Sequence, residues 1–180
     1  MSHHKQSKAT ALADAVIDSL DFAQNGRWLD GEVPISRFDR LADLLADSAG
    51  SLRVVVTGEQ DGEGNPRLRL KLEGSLKLRC QRCLEPLPWV VAIDSLLLLG
   101  DEAEVLPDPA GEDGEEEELD ASAPDVIVAE RELAVLPLLE DELLLSLPIA
   151  PRHENCEPPT GGTKDRAASP FAVLAQLKKH

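Results

Sequence analysis

Cys80-Gln81-Arg82-Cys83 is the segment of this chain best equipped for chemistry. A C-x-x-C turn brings two thiolates close enough to share one metal ion, and backbone N–H groups in the turn stabilise their charge. Two ligands do not hold zinc. The remaining candidates are His153 and Cys156, in Arg152-His153-Glu154-Asn155-Cys156. Together Cys80, Cys83, His153 and Cys156 would give a closed Cys3His tetrahedron around one structural zinc ion, with no position left open for catalysis. The second pair is only H-x-x-C, and 69 residues separate it from the first. The competing reading makes Cys80 a core residue at the end of an apolar strand face and Cys83 an ordinary thiol. A redox C-x-x-C is disfavoured, because thioredoxin-like motifs sit at a helix start within a βαβ unit, and none is read here.

A second constellation is cationic. Arg67, Arg69, Lys71, Lys77 and Arg79 alternate with apolar residues, and Arg82 follows in the turn, so six of the 18 Lys and Arg lie in this stretch. Residues i, i+2 and i+4 line one strand face at about 6.6–7 Å spacing, comparable with the phosphate spacing of a nucleic-acid strand. The functional reading is an RNA-phosphate contact surface. The plainer one is a solvated strand face whose charges discourage edge pairing, and no aromatic side chain interleaves to stack on bases.

Other charged groups do less. Residues 101–120 hold eleven acidic side chains and no basic one. Such a run could mimic RNA, cover the basic face, or bind a basic ribosomal protein; more simply, it keeps the chain soluble. Glu140, Asp141 and Glu142 are consecutive, so on a helix they splay instead of converging as an acid/base pair. His3 and His4 lie in a polar tail. No G-x-S-x-G, P-loop or dinucleotide-binding fingerprint is present. The expectation is a binding protein, not an enzyme, with no small-molecule substrate.

The clearest element is the one that must carry the basic stripe. In residues 67–80 every even position except Gly74 is Leu or Cys, which predicts a long strand with one packed face; Gly74 keeps the phase and marks a bend. Strands are also expected at Leu52 to Thr57, Trp89 to Leu99, Asp125 to Val128, and briefly at Val33 to Ile35. Short loops between the central strands favour an antiparallel meander. Helical spacing predicts helices over Thr10 to Ala23, over 36–47 with Ser36 as N-cap, and over Leu136 to Leu147. Leu143-Leu144-Leu145 covers most of that last helix's circumference, so it is expected to be well buried. Ser169-Pro170 opens a short amphipathic helix whose stripe, Phe171, Val173, Leu174 and Leu177, is expected to bind a partner or dock on the domain. The fold class is α+β: a mainly antiparallel sheet packed by a few helices, with a disordered acidic insert and a flexible C-terminal tail. The expected organisation is a helical segment at 1–30, a core domain at 31–150 with the acidic loop 101–120 inserted, and a tail at 151–180.

Composition narrows the setting. Hydrophobic residues make up 42% and aromatics only 3%, with no Tyr, so the core of this 180-residue chain is built from Leu, Val, Ile and Ala. A net charge of −16 repels phosphate backbones and anionic membranes. No stretch of about 18 uncharged apolar residues is present for a membrane span, and the N-terminus lacks the apolar run of a secretory signal. Three cysteines argue against a disulfide framework and for the reducing cytoplasm.

Three segments resemble a known family. LRCQRCLEPLPWVV (78–91), EDELLLSLPIAPRHENC (140–156) and SPFAVLAQLKK (169–179) are similar, in order and spacing, to the marked stretches of the YceD family of large ribosomal RNA subunit accumulation proteins. The resemblance runs over most of the chain from about Gly31 onward. It implies a ribosome biogenesis factor supporting synthesis, processing or accumulation of large-subunit (23S) ribosomal RNA, by binding that RNA or its early assembly complexes. It supplies no catalytic residue. The alternatives are a zinc-stabilised adaptor acting on ribosomal proteins and, less favoured, an RNA-processing enzyme.

Overall fold

The computed structural model describes residues 12–101 and 125–159. Most of the acidic run and the stripe Phe171, Val173, Leu174 and Leu177 lie outside the described residues. Among the described residues the strands and longer helices are, in chain order, β1 Val16–Ile17, α1 Ser19–Gln24, β2 Trp28–Pro34, β3 Ser51–Gln60, β4 Pro66–Arg79, β5 Pro86–Gly100, β6 Asp125–Val128, β7 Leu133–Ala134 and α2 Val135–Ser146. Five of the strands form one sheet in the order β2-β3-β4-β5-β6, and β1 and β7 form a two-stranded ribbon. The expected meander is present, since β2 to β5 pair antiparallel in sequence order. The short strand β6 adds to β5 in parallel. No helix among the described residues is long and apolar enough to cross a membrane.

Strand β4 organises the sheet. Its alternation holds over its length: Leu68, Leu70, Leu72, Leu76 and Leu78 are buried, and Cys80 just beyond the strand continues their face. The odd positions from Arg69 to Arg79 are exposed. On one side β4 pairs with β5 from Arg67 to Arg79. On the other, β3 accompanies it only as far as Glu73. Gly74 marks this change. Its φ of 151° is rarely adopted by other residues, and a Cβ there would stand 2.7 Å from Leu52 Cδ2.

Beyond Gly74 a different segment takes over the vacated edge, and this corrects the helix expected over 36–47. Ile35–Arg37 and Asp39–Leu41 are two separate 3₁₀ turns, with Ser36 inside the first instead of capping a helix. The reason lies in competing backbone partners. Ala46 N–H donates to Lys77 O at 2.7 Å, Arg79 N–H donates to Leu44 O at 2.7 Å, and Leu45 bridges Leu78. Groups bonded to β4 cannot serve an i to i+4 ladder. The apolar spacing of Phe38, Leu41, Leu44 and Leu45 was a core signal all the same, because three of them are buried and Leu44 is half-buried.

The helix expected over Thr10 to Ala23 is also broken. Strand β1 interrupts it, and α1 restarts after Asp18, whose carboxylate accepts from Asp21 N–H at 3.0 Å. Helix α2 matches its expected position within one residue, but it is buried on one side only. Val135, Leu139 and Leu143 face the core while Leu145 is 76% exposed, because the sheet covers one face of this helix. Glu140 is buried and its Oε1 accepts Arg40 N–H at 2.7 Å, and Asp141 pairs with the Arg40 guanidinium. Two of the three consecutive carboxylates thus meet at Arg40 and tie α2 to the second 3₁₀ turn.

Helix α1 lies so close to β3 that a Cβ on Gly58 would stand 2.2 Å from Phe22 O and 2.7 Å from Ala23 Cα. Backbone cannot yield there as a side-chain tip can. Gly58→Ala is therefore expected to cost about 1–3 kcal/mol, the usual penalty of overpacking. Gly62→Ala, in open space, should change stability by less than about 0.5 kcal/mol. Urea unfolding of the two variants measures the difference, and equal midpoints would show that α1 is free to shift.

Candidate metal centre and the basic strand

Where β4 ends, the chain turns back into β5 within a few residues. Cys80 N–H donates to Glu85 O at 3.0 Å and Leu84 N–H donates to Cys80 O at 2.9 Å. Leu84 closes the turn with φ 67°, a left-handed conformation that is costly for a branched side chain. The segment after α2 returns across this turn. Gln81 N–H donates to Pro151 O at 2.8 Å, and the Gln81 side-chain amide donates to Ile149 O at 3.3 Å. These bonds bring residues 153–156 over the 80–83 turn.

All four sequence-predicted ligands meet there. The donor atoms of Cys80, Cys83, His153 and Cys156 lie within 4.8 Å of one another and could hold a metal ion. Cys80 Sγ is 3.7 Å from Cys156 Sγ, and Cys83 Sγ is 3.3 Å from His153 Nδ1. A tetrahedron with Zn–S of about 2.3 Å and Zn–N of about 2.0–2.1 Å has edges of about 3.8 and 3.5 Å, so both separations have the right size. His153 Nε2 lies 3.2 Å from Pro86 O. An Nε2–H donated to that carbonyl leaves the Nδ1 lone pair aimed at the thiols, the second bond that orients a ligating imidazole.

The surroundings suit thiolates. Burial works to raise the Cys80 thiol, but the backbone N–H groups of Cys83, His153 and Arg82, with the Cys83 side chain, outweigh it and bring its pKa down to about 5. At Cys83 the Glu85 N–H favours the thiolate, yet burial and the neighbouring Cys80 and Cys156 prevail and push that thiol up. A cluster that ionises readily at one sulfur and resists further charge is one that a cation would complete. All three cysteines are free, with no disulfide.

The six cations divide. Arg67, Arg69, Lys71, Lys77 and Arg79 line the face opposite the leucines, whereas Arg82 turns into the 153–156 segment, its Nε donating to Cys156 Sγ at 3.1 Å. Arg69 grips Asp94 through Nε at 2.7 Å and Nη2 at 2.9 Å, and Lys71 reaches the same carboxylate at 3.3 Å. Lys77 Nζ pairs with Asp47 at 2.8 Å. Arg67 Nε faces Glu59 Oε1 at 3.6 Å, an ion pair too long for a hydrogen bond. Arg79 donates to Leu45 O at 3.3 Å. Asp94, Asp47 and Glu59 are the residues that the sequence reading missed. Asp94 could have been found by registering β5 against β4, which sets it opposite Lys71.

The model of the family described as "Large ribosomal RNA subunit accumulation protein YceD" matches residues 68–178. A similar protein, the large ribosomal RNA subunit accumulation protein YceD of Haemophilus influenzae, is 26% identical over 176 residues, covering 91% of this chain and 94% of that one. No solved structure matches the chain significantly.

The Asp94 cluster should show in acid. The hydrogen bond from Arg69, reinforced by Lys71, lowers the Asp94 carboxyl from 3.8 to about 2. A carboxylate held below its unfolded value favours the folded state above about pH 4, and that advantage is lost as pH falls toward 2. Asp94→Asn should lower the melting temperature by about 1–4 °C at pH 7, with the difference shrinking toward pH 2. A difference that stayed constant across this range would mean that the ion pairs contribute nothing.

Proposed function

The chain belongs to the YceD family of large ribosomal RNA subunit accumulation proteins, and from that premise we propose that it supports accumulation of large-subunit ribosomal RNA in the cytoplasm as a metal-clamped binding protein, without catalysing a reaction. Zinc is the ion that three thiolates and an imidazole suit best. With all four positions filled by protein, its role is to fasten the segment after α2 onto the end of the sheet. The free thiols agree with a reducing compartment.

The choice of partner rests on one observation, the internal pairing of the basic strand. Arg69, Lys71, Lys77 and Arg67 all face carboxylates of their own chain. A phosphate would have to displace those carboxylates on a protein of net charge −16. The reading best supported is therefore contact with cationic proteins of the early large-subunit complexes. Direct RNA contact along β4 is the second reading, favoured by the alignment of five cations on one strand face.

Two experiments test these readings. Purified protein should carry about one zinc per chain, and chelation or Cys83→Ser should lower the melting temperature by about 5 °C or more, because the binding energy of a structural site is also folding energy. Metal-free protein indifferent to chelators would end the clamp. For the partner, Arg69→Glu with Lys77→Glu should change affinity for large-subunit RNA at low salt less than about twofold, while wild-type protein still captures precursor complexes. A tenfold loss, with a salt slope flatter by about 0.9 per lost duplex contact, would return β4 to the RNA.

A further inference from the structure

Arg82 sits between Cys80 and Cys83, two of the four metal-competent residues, but shares none of the solvent-facing geometry of the β4 cations. Its side chain is half-buried. Besides the 3.1 Å contact from Nε to Cys156 Sγ, its Nη2 approaches the carbonyl oxygens of His153 at 3.5 Å and Glu154 at 3.4 Å. One guanidinium thus addresses three of the four residues from His153 to Cys156. Among the described residues no other Lys or Arg bonds to any of the four donors.

Charge gives that placement a purpose. A divalent ion with three thiolates and a neutral imidazole keeps one net negative charge, and a partly buried site holds such a charge at a cost unless it is paired. The planar fork of arginine can meet a sulfur through Nε and carbonyls through Nη2 at once, which a lysine ammonium cannot do. We propose that Arg82 is the positioning residue of the Cys3His centre, cancelling its residual charge and presetting Cys156 and His153 over the turn so that a thiophilic divalent cation finds the ligands assembled.

This role rests on the metal reading above, and its test separates the two. Wild type, Arg82→Gln and Arg82→Lys would be compared for zinc affinity by competition with a chromophoric chelator. Cobalt(II) would then be substituted, since the intensity of its thiolate charge-transfer band reports how many sulfurs bind. Arg82→Gln should lower affinity by about 10–100-fold, the usual effect of losing an outer-shell partner, and weaken the thiolate band. Arg82→Lys, which restores charge without the fork, should fall between. The metal-free forms of all three should melt alike. Wild type and Arg82→Gln with equal affinity and equal spectra would overturn the role while leaving the centre standing, whereas wild type that takes up no metal would remove both. If Arg82→Gln destabilises the metal-free protein and leaves the cobalt spectrum intact, Arg82 is only a structural tie and the proposal fails.

Discussion

Among the described residues, the main sheet is built around one fourteen-residue strand whose side chains alternate without a slip. A one-residue change of phase in β4 would carry five leucines to solvent and the cations into the core, so its register is fixed by the hydrophobic effect alone. That fixed register then dictates the neighbours. Antiparallel β5 must present Asp94 opposite Lys71. Because β3 stops at Glu73, the remaining edge of β4 is left for residues 44–46, which gives up a helix to cover it. The end of the same strand delivers Cys80, the last inward-facing position, to the turn where the chain's donors gather.

The alternation was legible from residue types because it is a local property with period two. Strands β3 to β6 fall close to where composition and turns put them, and α2 lies one residue from its expected span. What could not be read locally was any structure whose backbone partners are distant in sequence. Residues 36–47 carry helical spacing, yet Lys77 and Arg79 claim the backbone groups of Leu44 and Ala46 that a helix would use. Leu145 satisfied an apolar helix pattern, but burial depends on what stands opposite, and no covering element faces it among the described residues.

The four thiol and imidazole donors show both sides of this limit. Donor chemistry alone selected Cys80, Cys83, His153 and Cys156, since few other residues in the chain are soft ligands, and the fold brings all four together. The same reasoning grouped Arg82 with the strand cations because it counted charge along the sequence. Direction decides the matter: a residue in a turn is released from strand alternation, and this one points at sulfur. The acidic side chains that answer four of the five strand cations come from β3, β5 and the 47–49 loop, so the electrostatic character of the β4 face belongs to the tertiary structure and not to β4.

Sixty-nine residues of sequence lie between Cys83 and His153. The two halves of the centre therefore cannot meet until β4 and β5 have paired and α2 has docked, since the Gln81–Pro151 bond that aligns them depends on both. A contact of such range belongs to the late steps of folding. An ion bound across it would scarcely change how fast the chain folds, but it would slow how fast the chain comes apart, and it would do so at the end of the sheet where the returning segment is held by few other bonds. With an ion bound, the centre would act as a brake on unfolding, and the protein's lifetime in the cell would follow the supply of that ion.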